Sequence, residues 1–487
     1  MHETRVPGWN EPDFPSAAKV LLEESQLRKN VKHATNVIAN KRSLVVGELK
    51  DWQKLRDAGS RIREHVLENL SAYLLQFEEA CTRAGGTVHW ARDAEDANRI
   101  VVELVRKHAA EEVLKIKSMT TEEIGLNDAL ESAGIHPHET DLAELIIQLG
   151  KDRPSHIVVP ALHKNRQQVR EIFRREMHLE DLGERPEDLA AAARSYLRER
   201  FLRIPVAVSG ANFLIAETGG VCVVESEGNG RMCLTLPRVL ITVAGIEKVL
   251  PRFQDLEVFL QTLPRSATGE RMNPYNSVWT GVSPGDGPEE FHVILLDNGR
   301  SRILHDEEAR QTLKCIRCGA CQNACPVYRQ TGGHAYGSVY AGPIGAILTP
   351  QLHKLEESES LPYASSLCGA CYEVCPVKID IPEVLIHLRG QIVRRQQETG
   401  KLEPWNIGMQ MAAMALKNGQ RLHAAQRLGR IAQAPFVKDS GFIEKLPFML
   451  SGWTQTRDLA PLPAESFREW WAKRPQSPSG PKTERKR

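Results

Sequence analysis

Seven of the ten cysteines lie within residues 315–375, where they form two short runs. The first run is Cys315-Ile-Arg-Cys318-Gly-Ala-Cys321-Gln-Asn-Ala-Cys325-Pro326, and the second is Ser365-Ser-Leu-Cys368-Gly-Ala-Cys371-Tyr-Glu-Val-Cys375-Pro376. The spacing C-x2-C-x2-C-x3-C-P is typical of segments that bind cubane iron–sulfur clusters. The first run matches it fully, and the second matches it except that Ser365 replaces the first cysteine. A chain with two such runs is predicted to carry electrons.

The two runs are predicted to exchange their last ligands. In two-cluster ferredoxins the final cysteine of each run binds the cluster of the other run. The first cluster is therefore assigned to Cys315, Cys318, Cys321 and Cys375, and the second to Cys325, Cys368 and Cys371 with Ser365 at the fourth corner. Gly319 and Gly369 would let the backbone approach inorganic sulfide closely.

Ser365 leaves the second cluster open to several interpretations. It is a three-iron cluster with an empty corner, or a four-iron cluster with a hydroxide, serine or other oxygen ligand. A ligand from a residue that the pattern does not identify is the third alternative. Two clusters predict about seven to eight irons per chain.

Other chemistry of cysteine fits the two runs poorly. Disulfides are unlikely in a chain without a secretory signal, and structural zinc prefers two C-x2-C pairs, often with histidine. The remaining cysteines, Cys81, Cys222 and Cys233, are isolated in the sequence. We expect them to be small buried side chains.

Two polar segments outside the cysteine runs are weaker candidates. The stretch Glu217–Gly220 and the stretch Glu225–Arg231 are rich in glycine, and their backbone amides could hold an anion beside Arg231. Hairpin turns are the structural alternative and are favoured. The stretch Glu139-Thr-Asp141 could place a polar group at the carboxyl edge of a parallel sheet, but capping of a helix is the favoured interpretation.

Composition excludes several classes of protein. The net charge is +1, which indicates no general affinity for nucleic acid. No stretch is long and apolar enough to span a membrane, and the first residues lack the apolar core of a signal peptide. Because ligand cysteines must stay reduced, we expect a cytoplasmic location.

Periodicity predicts several domains in a chain of 487 residues. Residues 1–80 are predicted to be a helical region, whose basic part near residues 16–43 could wrap over another domain or a partner. Residues 81–300 alternate strands and helices, which favours a mostly parallel sheet with antiparallel additions. Residues 301–398 carry the cysteine runs, residues 399–474 are predicted to be helical, and residues 475–487 are predicted to form a disordered tail.

Individual elements follow from the same pattern. Strands are expected at residues 87–90, 113–116, 156–159, 206–208, 213–217, 221–224, 232–235, 239–243 and 292–296. Helices are expected at residues 94–108, 121–133, 141–149, 165–176, 186–200, 305–313 and 383–397.

Several segments resemble the lactate utilisation protein B (LutB) family. They include residues 361–378 (LPYASSLCGACYEVCPVK), residues 115–127 (KIKSMTTEEIGLN), and the stretches Glu139–Leu142, Glu217–Gly220 and Glu465–Trp470. The resemblance spans nearly the whole chain. The family pattern also has seven cysteines in this region, so Ser365 is not a departure from it.

The resemblance implies a fold and a set of partners. The α/β part would be a lactate-utilisation (LUD) domain, with a sheet flanked by helices similar to sugar-phosphate isomerases and CoA transferases. An α-helical ferredoxin domain with two [4Fe-4S] clusters and a helical C-terminal region would follow. The partners would be a cysteine-rich, heterodisulfide-reductase-like subunit and a small LUD-domain subunit.

The leading hypothesis is an iron–sulfur electron-transfer subunit of a cytoplasmic complex that oxidises L-lactate to pyruvate. No side chain in the sequence is an obvious hydride acceptor, so the step at carbon needs a cofactor or subunit beyond this chain. One alternative is a redox-responsive module that binds a metabolite or supports assembly. Another is the same role with a different 2-hydroxy acid, such as glycolate.

Overall fold

A computed structural model describes residues 13–399 and 404–474. Of these, residues 13–395 form one compact unit, and residues from Gln396 to 474 form a second. The tail predicted at 475–487 lies outside the described residues. In the described part, no helix is both long and apolar enough to cross a bilayer.

The α/β domain contains ten strands in two sheets. The strands are β1 Thr87–Ala91, β2 Glu112–Lys115, β3 His136–Glu139, β4 Val206–Ser209, β5 Phe213–Ile215, β6 Gly220–Glu225, β7 Val239–Gly245, β8 Val249–Leu250, β9 Tyr275–Trp279 and β10 Glu290–Leu296. Six of them form a parallel sheet in the order β1-β10-β7-β4-β2-β3. The order of the smaller sheet is β8-β5-β6-β9, with antiparallel pairing of β5 with β6 and of β6 with β9.

The described residues contain twenty-one α-helices. Those before the second half of the chain are α1 Phe14–Leu21, α2 Ser25–Gly47, α3 Trp52–Glu68, α4 Leu70–Arg83, α5 Ala94–Lys107, α6 Met119–Glu123, α7 Leu126–Ser132, α8 Leu142–Leu149, α9 Arg166–Glu176, α10 Pro186–Arg203 and α11 Asn229–Thr235. The remainder are α12 Leu256–Ala267, α13 Arg300–His305, α14 Ala320–Ala324, α15 Tyr328–Thr331, α16 Gly342–Leu352, α17 Ala370–Val374, α18 Ile381–Glu398, α19 Pro404–Leu416, α20 Gly419–Gln433 and α21 Phe467–Lys473.

Both faces of the large sheet are buried, as a parallel sheet requires. Val206 and Val208 of β4 pack on one side with α5 and α7. Ala207, between them, packs on the opposite side with α4, α9 and α10. The predicted fold class, an α/β domain followed by helical regions, is confirmed.

Two predicted strands are wrong. Residues 156–159 form an irregular loop, because their polar groups bond to the cysteine region: the Ile157 amide donates to Gln322 Oε1 at 3.2 Å. Residues 232–235 belong to α11. This helix starts after Gly228, whose φ is +88°, and the Glu225 carboxylate accepts the Arg231 amide of its first turn at 3.0 Å.

Two predicted helices are divided. The helix predicted at 121–133 breaks at Gly125, whose φ is +63°, into α6 and α7. Ser118 caps α6 by accepting a hydrogen bond from the Thr120 amide at 3.2 Å. The helix predicted at 305–313 is replaced by α13, which ends at His305, and a 3-10 turn at Arg310–Lys314. The pattern also missed α12, β8 and β9.

Candidate iron–sulfur site

The two cysteine runs have the same local structure. Each run has a glycine with positive φ at the same position of the pattern, Gly319 at +72° after Cys318 and Gly369 at +81° after Cys368. A five-residue helix follows in each, α14 and α17. Because only glycine adopts this backbone conformation without strain, the loop can turn there and present its thiols to one side. The two short helices contact each other, which brings the runs together.

Four of the seven thiols line one small cavity. They are Cys315, Cys318 and Cys321 from the first run and Cys375 from the second. The remainder of the wall is mostly apolar and includes Ile157, Ile344, Ile379 and Ile381. This is the set that the sequence assigns to the first cluster, with the fourth thiol supplied by the distant run.

The other three cysteines form a second group. Burial and the neighbouring charge of Cys325 raise the pKa of Cys371 to about 12, and Cys368 contributes in the same direction. Cys325 and Cys371 are buried, whereas Cys368 is exposed. The second group therefore reaches the protein surface at Cys368.

Ser365 is held by its own loop. Its hydroxyl accepts a hydrogen bond from the Leu367 amide at 3.1 Å, and its carbonyl accepts one from Arg389 Nη2 at 3.2 Å. The serine is half-buried, three residues before Cys368. The structure thus places an oxygen at this position of the loop and fixes the loop through Arg389.

The donor groups around the thiols suit a bound cluster. Backbone amides point at three of the sulfur atoms: Arg317 N lies 3.4 Å from Cys315 Sγ, Tyr328 N lies 3.5 Å from Cys325 Sγ, and Ile379 N lies 3.4 Å from Cys375 Sγ. Such N–H groups stabilise negative charge on thiolate sulfur. A compact cavity, four converging thiols and these amides fit a cubane iron–sulfur cluster.

The N-terminal helices hold the second run in place. Arg42 of α2 donates to the carbonyl of Val374 at 3.0 Å. Arg56 of α3 donates through Nε to the carbonyl of Cys375 and through Nη2 to that of Tyr372, each at 2.8 Å. These carbonyls end the short helix α17 and carry partial negative charge, which the guanidinium groups neutralise. The basic N-terminal region therefore wraps over the cysteine region of its own chain.

A loop of the α/β domain supports the first run from the other side. The buried ring of His156 pairs with Asn323 Oδ1 at 3.2 Å. The carbonyl of Ser155 accepts a hydrogen bond from the Tyr328 hydroxyl at 2.5 Å. His163 and His334 stack edge to face with ring centroids 4.7 Å apart. His156 and His163 therefore pack this loop against the cysteine region.

The isolated cysteines are buried as predicted. Cys81, Cys222 and Cys233 are each fully inaccessible to solvent. Burial raises the pKa of the Cys81 thiol to about 11 and those of Cys222 and Cys233 to about 12. These thiols stay neutral and behave as small apolar side chains.

The glycine-rich turns do not present free amides to a ligand. Residues Glu217–Gly219 connect the hairpin of β5 and β6, as the hairpin alternative predicted. In the second turn the Glu225 carboxylate already accepts the amides of Gly228 at 2.6 Å and Arg231 at 3.0 Å. The guanidinium of Arg231 lies over the Tyr275 ring instead of facing an anion. The protein's own carboxylate fills the proposed anion site.

A buried group of charges at the sheet edge was missed. Asp141 caps α8 by accepting from the Ala143 amide at 3.1 Å, which confirms the capping interpretation. The preceding Glu139 accepts from Lys115 Nζ at 2.6 Å at the carboxyl ends of β2 and β3. Burial raises the pKa of nearby Glu144 to about 8. Lys115 lies near the end of the strand predicted at 113–116. A charged side chain at the carboxyl end of a parallel strand was the sequence signal for this polar edge.

Comparison with protein families defines the class of both parts of the chain. Residues 74–296 match the model of the LUD domain, and residues 311–379 match that of the 4Fe-4S dicluster domain. The protein is therefore a LUD-domain protein with an iron–sulfur domain.

Similarity to whole proteins gives the family. Lactate utilization protein B of Oceanobacillus iheyensis is 44% identical, and the match covers 93% of this chain and 94% of the relative. The protein of the same name from Bacillus subtilis is 43% identical over 94% and 95% of the two chains. Uncharacterized electron transport protein YkgF of Escherichia coli is 43% identical over 95% and 96%. The chain belongs to the lactate utilization protein B family.

Proposed function

We propose that this protein is the iron–sulfur electron-transfer subunit of a cytoplasmic system that oxidises L-lactate to pyruvate. The observation that carries the proposal is the convergence of Cys375 with Cys315, Cys318 and Cys321 on one cavity. This arrangement supplies four thiolates to one cubane cluster from two separated runs. The names of the relatives supply the substrate, lactate.

Two [4Fe-4S] clusters are proposed as the cofactors. Cys315, Cys318, Cys321 and Cys375 would hold the first, and Cys325, Cys368 and Cys371 the second, with Ser365 or another oxygen at its fourth corner. When bound, such clusters accept and release single electrons. The chain itself supplies thiolates, amide donors and an apolar wall around them.

The two sites are proposed to serve different ends of the electron path. The first site has a buried apolar wall and lies beneath the arginines of α2 and α3. The second site reaches the surface at Cys368. Side chains of Tyr363, Leu367 and Tyr372 nearby are 50%, 36% and 40% exposed. An exposed apolar rim around an exposed ligand suits docking of an electron-transfer partner.

The proposed partners are a cysteine-rich, heterodisulfide-reductase-like subunit and a small LUD-domain subunit. Lactate oxidation releases two electrons and two protons, so a hydride or electron acceptor must lie at the substrate carbon. No cofactor-binding fingerprint for that step was found in this sequence. Within the C-terminal unit, α19 and α20 also expose apolar side chains, among them Met411, Met414, Leu428 and Ile431. Exposed methionines adapt to a partner surface.

The proposal is tested first on the purified protein and then on the complex. The purified chain is expected to contain about seven to eight irons and two distinct EPR signals after reduction. Only four irons would contradict the two-cluster assignment. In the assembled complex, L-lactate is expected to reduce the clusters on the timescale of turnover. Clusters that stay oxidised would favour a redox-responsive assembly module, and faster reduction by glycolate would change the substrate.

A further inference from the structure

Two buried tyrosines lie side by side next to the second cysteine group. Tyr328 and Tyr336 are each fully inaccessible to solvent, and their ring centroids are 6.5 Å apart. Tyr336 is covered by the N-terminal helix α1, whose Phe14 ring lies 5.0 Å from it. Neither ring can reach water, so each hydroxyl needs a partner inside the protein.

The two hydroxyls differ in their hydrogen bonds. The Tyr328 hydroxyl donates to the carbonyl of Ser155 at 2.5 Å. The Tyr336 hydroxyl has no partner among residues 13–399 and 404–474. A buried hydroxyl without a hydrogen bond costs about 1–3 kcal/mol.

The surroundings of Tyr336 identify the missing acceptor. The Tyr336 ring lies beside that of Tyr328, whose backbone amide is 3.5 Å from Cys325 Sγ. In keeping with this position, burial and then the charge of Cys325 raise the pKa of Tyr336 well above its usual range. A sulfur-rich anion held by Cys325 would offer acceptor atoms to this hydroxyl. Buried hydroxyls without partners often mark the place of a group that is bound in the working protein.

We propose that the Tyr336 hydroxyl donates a hydrogen bond to the second cluster, at the Cys325 thiolate or an inorganic sulfide, and thereby raises its reduction potential. The inference rests on the proposed iron–sulfur function. A donor facing the sulfur atoms stabilises the reduced cluster more than the oxidised one, because reduction adds negative charge. Tyr336 would therefore tune the reduction potential of the second cluster through this hydrogen bond. Tyr328, whose hydroxyl is already committed, has no such effect.

The test compares Tyr336→Phe with Tyr328→Phe in the full-length, cluster-loaded protein. Each change removes one buried hydroxyl from neighbouring rings, so the two variants are matched in size and burial. EPR-monitored redox titration is expected to show a lower potential of the second cluster in Y336F. A tenfold change in its reduction equilibrium constant corresponds to about 59 mV for a one-electron couple. Y328F is expected to leave that potential unchanged.

A spectroscopic measurement on the wild-type protein guards against a folding effect. After exchange into D2O, ENDOR of the reduced second cluster is expected to detect a deuteron that disappears in Y336F and persists in Y328F. Equal potentials in Y336F and wild type, or the same shift in both variants, would overturn the proposal. Wild-type protein with both clusters but no such deuteron would also overturn it while leaving the electron-transfer function intact. Wild-type protein with a single cluster would instead contradict the function.

Discussion

Arg317, between the first two ligand cysteines, donates through Nη2 to the carboxylate of Glu247 at 3.1 Å. Glu247 follows β7 of the α/β domain and also accepts from Arg300 Nε at 2.5 Å. All three side chains are buried. This carboxylate therefore ties the parallel sheet directly to the loop that carries the first cysteine run. The position of the candidate iron–sulfur site depends on the α/β domain through this contact.

Replacing Glu247 by Gln is expected to destabilise the protein and to weaken its pH dependence. Burial alone would raise the pKa of Glu247, but Arg300 and Arg317 outweigh burial and lower it from 4.5 to about 2. The carboxylate thus stabilises the fold fully above pH 4.5, and this contribution is lost as the pH falls towards 2. The difference corresponds to roughly 3 kcal/mol. Urea unfolding at several pH values measures this contribution to the free energy of unfolding. The control is Glu289→Gln, because Glu289 forms an exposed ion pair with Arg238. Equal losses of unfolding free energy in the two variants would contradict the prediction.

Serine substitutions test the exchange of ligands between the runs. Cys375→Ser is expected to remove the EPR signal of the first cluster, because Cys375 shares its cavity with Cys315, Cys318 and Cys321. Cys368→Ser is expected to remove the signal of the second. If each run held its own cluster, both variants would lose the same signal.

Ser365→Cys tests the fourth corner of the second site. A thiolate at this position would complete the C-x2-C-x2-C-x3-C-P pattern. The variant is expected to contain eight irons and to show no three-iron EPR signal after oxidation. Ser366→Cys adds a thiol one residue away and is the control. A variant S365C with the iron content and oxidised spectrum of S366C would show that this position does not face the cluster.

Arginines near each site are expected to set the two potentials separately. Arg56 donates a hydrogen bond to the carbonyl of Cys375. Arg56→Gln removes this positive charge next to Cys375. At an effective dielectric constant of about 20, this loss is worth on the order of 1–2 kcal/mol, or roughly 40–90 mV for one electron. The first cluster should become harder to reduce. Arg329→Gln, beside Cys325, should shift only the second cluster. Redox titrations in which either change moved both potentials equally would contradict this assignment.

The exposed rim around Cys368 is expected to bind the electron-transfer partner. Leu367→Glu or Tyr372→Glu would place a carboxylate in an apolar contact and should slow lactate-dependent cluster reduction at least tenfold, since 1.4 kcal/mol is a factor of ten. Iron content should stay unchanged because both side chains are partly exposed and neither is a thiol ligand. Leu202→Glu, on the exposed face of α10, is the control with a 67% exposed leucine. Equal rates in all three variants would exclude this rim as the docking surface.

The sequence by itself determined the chemistry and the broad architecture. Cysteine spacing predicted the iron–sulfur runs, and the alternation of strands and helices predicted the α/β class. Asp141 was correctly expected to cap a helix, because capping depends on the few residues around it. These features are local, so they can be seen in consecutive residues.

Only the tertiary structure decided what depends on residues far apart in the chain. Residues 156–159 looked like a strand because of their apolar side chains, but their polar groups bond to Gln322 and Asn323 in the cysteine region. The anion site expected near Arg231 is filled by Glu225. The contact of Glu247 with Arg317 spans 70 residues of sequence, and the unpartnered hydroxyl of Tyr336 is evident only once its neighbours are placed. The spacing of the cysteines identifies the residues that can bind a cluster, whereas long-range packing decides which charges and hydrogen-bond donors surround it.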